Sequence, residues 1–126
     1  MRHIVLAAAL LLSHAAGASP EGPDALTDAL RLRGWLALRA MNCERCHGRD
    51  LAGWSAPDLV AAVRDGGRER FDRIVLDGAV ERGMPGYRSQ ALVVAELDAI
   101  HAYLKARADG VIGVGRPSPA FGVDRH

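Results

Sequence analysis

The chain lacks the features that mark several common classes of protein. Its 16 lysine and arginine residues nearly balance 15 aspartate and glutamate residues, so it has no basic surface of the kind that nucleic-acid binding requires. Cys43 and Cys46 are its only cysteines, which is too few for a zinc site built from cysteines. No strand pattern of convincing length and no internal repeat is visible. These absences favour a single helical domain.

A long hydrophobic run is also missing. Arg2 precedes the apolar stretch Ile4–Leu12, and small residues follow that end in Ala16-Gly17-Ala18. This A-x-A pattern is typical of a signal-peptidase site, and cleavage after Ala15 fits as well. The charge-free stretch is shorter than the ~20 residues that a spanning helix needs. We therefore predict a cleaved signal peptide at residues 1–18, a periplasmic location and no stable membrane insertion afterwards.

The most informative motif is Cys43-Glu44-Arg45-Cys46-His47. Cys-x-x-Cys-His is the spacing of c-type haem attachment, because two thiols three positions apart can each add to a haem vinyl group. A thioredoxin-like redox motif would need a βαβ pattern around it, and none is present. A disulfide between these cysteines would close too short a loop to stabilise the fold much. We interpret the motif as the attachment site of one covalent haem c.

Apolar periodicity predicts several helices and long loops after the signal. A leader at residues 19–27 precedes a domain at 28–109, and a Gly/Pro-containing tail follows at 110–126. Gly34 lies on the apolar face of the first helix, where it costs ~1 kcal/mol relative to alanine, and this predicts close approach by another helix. The tail has no helical stripe, so we expect it to lie along the domain or to engage a partner. The predicted helices begin at Asp24 or Thr27, Leu59, Arg68 and Ser89 and end near Met41, Arg64, Leu76 and Ala108.

Residues 28–105 resemble a class I (mitochondrial-type) c-type cytochrome of the bacterial periplasmic kind. The resemblance implies an all-α cytochrome c fold, in which N- and C-terminal helices cross and two short helices and long loops surround one haem. It is specific because the haem motif and a Gly-Met-Pro segment occur in the family's order. The matching motifs are Cys43–Gly48, Ala56-Pro57-Asp58-Leu59, Phe71-x-x-Ile74-Val75-x-x-Gly78, Gly83-Met84-Pro85 and Ile100-x-x-Tyr103-Leu104.

The resemblance also implies roles for individual residues. Cys43 and Cys46 would form the thioethers, and His47 would be the proximal ligand of the iron. The Pro57 carbonyl would accept the proton of the other His47 nitrogen, which fixes the ring. Met84 would be the distal ligand, and a His/Met pair raises the reduction potential.

Other candidates for the distal position fit less well. Met84 follows His47 by 37 residues and stands between a glycine and a proline, which permit close backbone approach and stiffen the loop. Met41 is too close in sequence to Cys43 to reach the other haem face. His101 lies on the predicted last helix, where a histidine is more often a satisfied surface residue.

Two interpretations are open for each of the two tryptophans. The indole N–H of Trp54 would donate to a haem propionate, or the ring would only pack against the haem edge. Trp35 and Arg39 stand where the family usually has a glycine and an aromatic residue. Gly34 and Leu38 keep the spacing of that pair, one residue further from the motif. Either the first helix joins the haem segment through an extra residue, or Trp35 packs differently.

The function implied is electron transfer rather than catalysis of a bond-making step. A dehydrogenase would donate the electron, and another cytochrome or a terminal oxidase would accept it. The segment Tyr103–Gly110 resembles small cytochromes that accompany quinoprotein alcohol dehydrogenases. Lys105 is the only lysine, so any positive docking patch would consist of arginines. The alternatives are a haem enzyme or sensor with an open distal site, and a cytochrome subunit fixed to a dehydrogenase.

Overall fold

A computed structural model describes residues 23–118, so the predicted signal peptide and the last eight residues lie outside it. Four helices and one short 3₁₀ turn form this part of the chain, and its only β-type pairing is an isolated bridge between Ala79 and Met84. The predicted all-α class is therefore confirmed. None of these helices is long and apolar enough to cross a bilayer. The elements are α1 (Pro23–Ala40), α2 (Glu44–His47), α3 (Leu59–Asp77), the 3₁₀ turn (Val80–Arg82) and α4 (Ala91–Ala108).

Helix α1 starts earlier than the sequence pattern predicted. It begins at Pro23 and has Asp24 in its first turn. Proline is well suited to the first helical position because the amide there has no partner inside the helix. Residues 23–27 are therefore helical and do not belong to the predicted leader.

Helices α1 and α4 pack against each other through Gly34. A Cβ atom at Gly34 would lie 2.0 Å from the carbonyl oxygen of Ala99, so only glycine fits this approach. Arg33 also forms two hydrogen bonds of 2.9 Å with the carboxylate of Glu96 across the same interface. The close helix approach predicted from Gly34 is thus confirmed.

We predict that Gly34→Ala destabilises the fold by about 1–3 kcal/mol, because the helices must move apart to admit a methyl group. This cost outweighs the ~1 kcal/mol that alanine gains in helix propensity. Gly66→Ala is the matched control, since its nearest contact would be 3.3 Å away at the flexible Arg70 side chain. Urea denaturation of both variants checks this, and equal stabilisation of the two would contradict the packing argument.

The extra residue between Gly34 and the haem motif is absorbed where α1 ends. Asn42 has a left-handed backbone conformation, with φ of 56°, which asparagine tolerates better than most residues. Its N–H donates to Arg39, and the Cys43 N–H donates to Leu38 at 3.1 Å. These two bonds form a Schellman motif. The helix therefore joins the haem segment through a tight turn, and Cys43 is brought next to Leu38.

Helix α3 contains both short helices that the sequence predicted. The Asp58 side chain accepts a hydrogen bond of 2.9 Å from the Ala61 N–H and so caps the first. Gly67 interrupts the helix with φ of 71° and ψ of 168°, and the second segment continues to Asp77. Glycine adopts this conformation without steric cost, so α3 bends where the sequence predicted a break.

The core joins α1, α3, α4 and the loop after the haem motif. The apolar residues spaced three or four positions apart on α4 lie inward, with Leu104 fully buried and Leu97 at the edge of the core. The tail adds to this core, because Ile112 packs against it and the Tyr103 hydroxyl donates to the Gly115 carbonyl at 2.8 Å. Residues 111–118 thus lie along the domain, one of the two expected arrangements. The buried core residues are Ala37, Leu38, Leu51, Val63, Phe71, Val93, Ile100, Tyr103 and Leu104.

Candidate haem site

The haem motif forms a single helical turn. The carbonyl of Cys43 accepts hydrogen bonds from the N–H groups of Cys46 at 3.3 Å and His47 at 3.0 Å. Cys43 is half-buried, whereas Cys46 is exposed. Burial raises the pKa of the Cys43 thiol. The two sulfur atoms therefore present one attachment point inside the domain and one at its surface.

The His47 ring is held in a defined orientation. Only 8% of the residue is exposed, and its Nδ1 lies 2.7 Å from the carbonyl oxygen of Pro57. A carbonyl can only accept a hydrogen bond, so Nδ1 carries the proton. The lone pair of Nε2 is then available to a metal ion. This tautomer, directly after two thiols on one turn, fits the donor set that a c-type haem requires.

The loop after the motif positions the Pro57 carbonyl. The Gly53 N–H donates to the His47 carbonyl at 2.8 Å, and the Ala56 N–H donates to the Cys46 carbonyl at 3.0 Å. Gly48 has φ of 85°, and a Cβ there would lie 2.7 Å from the Gly53 carbonyl oxygen. The glycine after His47 is therefore required so that the loop can fold back on the motif.

A second segment, after α3, holds Met84. Its N–H and carbonyl exchange hydrogen bonds with Ala79, at 3.1 and 2.9 Å. A Cβ at Gly78 would meet backbone atoms of residues 84–86 at 2.5–2.7 Å, and one at Gly86 would meet the backbone of Leu76 and Asp77 at 2.8 Å. The two chain stretches are in direct backbone contact only because both glycines lack a side chain. Met84 is half-buried where these two stretches meet.

The other candidates for the distal position have their own packing partners. Met41 packs against the core at the end of α1. The His101 ring contacts Phe71 edge to face, with 5.1 Å between ring centroids. Burial and then the nearby Arg68 guanidinium lower the pKa of His101, so the ring is neutral at pH 7. It stabilises the contact between α3 and α4.

Hydrogen bonds join Cys43, Cys46, His47 and Pro57 into one unit, whereas Met84 comes from a separate segment that α3 positions. Trp54 lies next to this unit in the loop, but it is 84% exposed. Within residues 23–118 its indole N–H has no hydrogen-bond acceptor. The structure therefore presents the indole at the surface.

Two residues that organise the site were missed by sequence reasoning. Leu51 is buried in the core with φ of 59°, an unfavourable backbone conformation for a leucine. Its carbonyl accepts a hydrogen bond of 2.9 Å from the Leu59 N–H, which ties the loop to the start of α3. The sequence did contain a signal for the burial of Leu51, because it is a lone apolar residue in a polar loop. Asn42 is the second residue that was missed. Asparagine is frequent where a helix ends in a left-handed conformation, so its position after α1 indicated such an end.

Comparisons with known proteins agree with this geometry. The family model described as cytochrome c oxidase, cbb3-type, subunit III matches residues 32–104. Cytochrome c-555 of Methylococcus capsulatus is 28% identical over 109 residues, which cover 86% of this chain and 85% of the relative. The crystal structure of the c-type cytochrome XoxG from Methylobacterium extorquens AM1 matches with a TM-score of 0.65 and 30% identity. That match covers 71% of this chain and 57% of XoxG, so this chain spans little more than half of that protein. The chain therefore belongs to the cytochrome c family described as cytochrome c oxidase, cbb3-type, subunit III, and is a class I electron-transfer cytochrome.

Proposed function

We propose that this cytochrome is a periplasmic carrier that takes one electron from a dehydrogenase and passes it to another cytochrome or a terminal oxidase. It would hold one haem c through Cys43 and Cys46, with His47 and Met84 as axial ligands. The bound haem supplies an iron that alternates between the ferrous and ferric states. The observation that carries the proposal is the 2.7 Å hydrogen bond from His47 Nδ1 to the Pro57 carbonyl.

This hydrogen bond prepares His47 for its role. It holds the proton on Nδ1, orients the ring and raises the basicity of Nε2. Because the acceptor belongs to a loop tied to the motif by further backbone bonds, the ring does not have to reorient when the metal changes charge. A rigid ligand is what an electron carrier needs, since movement during transfer would slow it.

The cysteine environments support transfer at the surface. Cys46 is exposed and Cys43 is half-buried, so one attachment point lies where a partner protein can reach it. Partner contacts of this kind are small and transient, at the low end of protein interface areas.

Two observations support the class of partner. The likeness of residues 103–110 to cytochromes that accompany quinoprotein alcohol dehydrogenases favours such an enzyme as donor. The matching family model is named after an oxidase subunit, which favours a terminal oxidase as acceptor. We propose that the carrier catalyses no bond-making step of its own.

An absorption spectrum of the exported protein tests the proposal. Haem should stay with the polypeptide after denaturation, and the oxidised protein should show a weak sulfur-to-iron band near the red end of the spectrum. Carbon monoxide should bind slowly to the reduced protein, because Met84 would occupy the distal position. Rapid binding would instead favour a sensor or enzyme with an open site. The mass of the exported chain checks cleavage near residue 18.

A further inference from the structure

Trp54 is the most exposed large hydrophobic residue of the described chain. Its exposure is 84%, compared with 72% for Val80 and 70% for Leu26. Tryptophan carries more apolar surface than either of these residues, so leaving it in water is unfavourable for an isolated domain. Such residues are also the most common energetic anchors of protein interfaces.

The backbone around Trp54 is fixed. The Trp54 N–H donates to the Ala56 carbonyl at 3.0 Å, and the Ala56 N–H donates to the Cys46 carbonyl at 3.0 Å. The Ser55 hydroxyl also donates to the Cys46 carbonyl, at 3.3 Å. An indole presented by a braced loop loses little backbone entropy on binding, which favours affinity.

The same bonds place Trp54 beside the exposed cysteine of the haem motif. A partner seated on the indole would therefore lie close to the attachment point at Cys46. A residue that docks an electron-transfer partner must hold that partner close to the haem, and the position of Trp54 near Cys46 meets this requirement.

Two arginines without ion pairs in the described part of the chain lie in and just after the haem motif. Arg45 and Arg49 are exposed, and neither forms an ion pair within residues 23–118. Glu44 is paired with Arg39, whereas Asp50 and Asp58 form no ion pair in that part of the chain, and the Asp58 carboxylate accepts a hydrogen bond from the Ala61 N–H instead. The unpaired guanidinium groups of Arg45 and Arg49 would complement carboxylates on an acidic partner surface.

We propose that Trp54 is the anchor by which this cytochrome docks on its electron donor. The proposal rests on the proposed function. The donor is a quinoprotein alcohol dehydrogenase that offers an apolar cleft for the indole and carboxylates for Arg45 and Arg49. The anchor controls the stability of the encounter complex, and the two arginines control its rate of formation and salt dependence.

The experiment measures reduction of the cytochrome by stopped flow. The donor is a purified quinoprotein alcohol dehydrogenase supplied with its alcohol, and ascorbate serves as the small reductant. Trp54→Ala should lower the second-order rate constant with the dehydrogenase by about tenfold or more. Trp54→Phe, which keeps a ring, should lower it much less. Leu26→Ala is the matched control, because that residue is similarly exposed but lies about 21 Å along α1 from its C-terminal end.

Ascorbate reduction and midpoint potential should be unchanged in all three variants. An equal shift of the potential in Trp54→Ala and Trp54→Phe would overturn the proposal, because it would mean that the indole N–H contacts the haem. Equal reduction of Trp54→Ala and wild type by the dehydrogenase would overturn it too, while leaving the donor assignment intact. If the dehydrogenase reduces neither the wild type nor any variant while ascorbate reduces all of them, the assignments of the donor and of the docking anchor are both wrong. The proposal that the protein transfers electrons would still stand.

Discussion

Replacing both Cys43 and Cys46 by alanine is expected to abolish covalent haem attachment and to remove much of the helix content. The two thiols are the only cysteines of the chain, so no other residue can form the thioethers. Cys43 also packs against the core, which a chain of this size builds from few apolar side chains. Haem staining after denaturing electrophoresis and far-ultraviolet circular dichroism measure the two effects.

Ser55→Ala is the matched control for this experiment. It removes the hydroxyl that donates to the Cys46 carbonyl and leaves both thiols in place, so attachment should remain normal. Denaturation-resistant haem in the double cysteine variant would refute the assignment of the motif.

Met84→Ala is expected to keep the haem attached but to lower the reduction potential by on the order of 0.1 V, because axial ligands tune this potential over about 0.8 V. A neutral thioether favours ferrous iron. A shift of that size corresponds to a roughly fifty-fold loss of preference for the ferrous state, at about 59 mV per tenfold change. The backbone bonds between Met84 and Ala79 do not involve the thioether, so the loop should survive. A redox titration measures the shift.

Val80→Ala serves as the control in the same loop, since Val80 is 72% exposed and should not affect the potential. The weak red band of the oxidised protein should disappear only in Met84→Ala. An unchanged band and potential in that variant would exclude Met84 as ligand and turn attention to His101. Ligation by His101 would require it to leave its contact with Phe71.

The chemistry of the site was predictable because it is local in sequence. Two thiols and an imidazole within five residues have the spacing of c-type haem attachment. The positions of α3 and α4 followed from apolar periodicity, capping residues and glycine breaks, which also act over a few residues. The proposed role of Met84 and the contact of His47 with the Pro57 carbonyl came from the family resemblance as well, because each residue lies on a separate segment from His47.

The sequence by itself thus determined the all-α class, the haem motif and the close approach at Gly34. Only the structure showed how the helix joins the motif, because the sequence left two arrangements open and the left-handed turn at Asn42 is one of them. The structure also shows why Gly78 and Gly86 are needed, since both lie at a backbone contact between two segments that are separate in the sequence. The exposure of Trp54 was likewise not predictable from the sequence, because the burial of a side chain depends on the whole fold. Local patterns specify which groups are present, and contacts between distant residues specify where those groups are held.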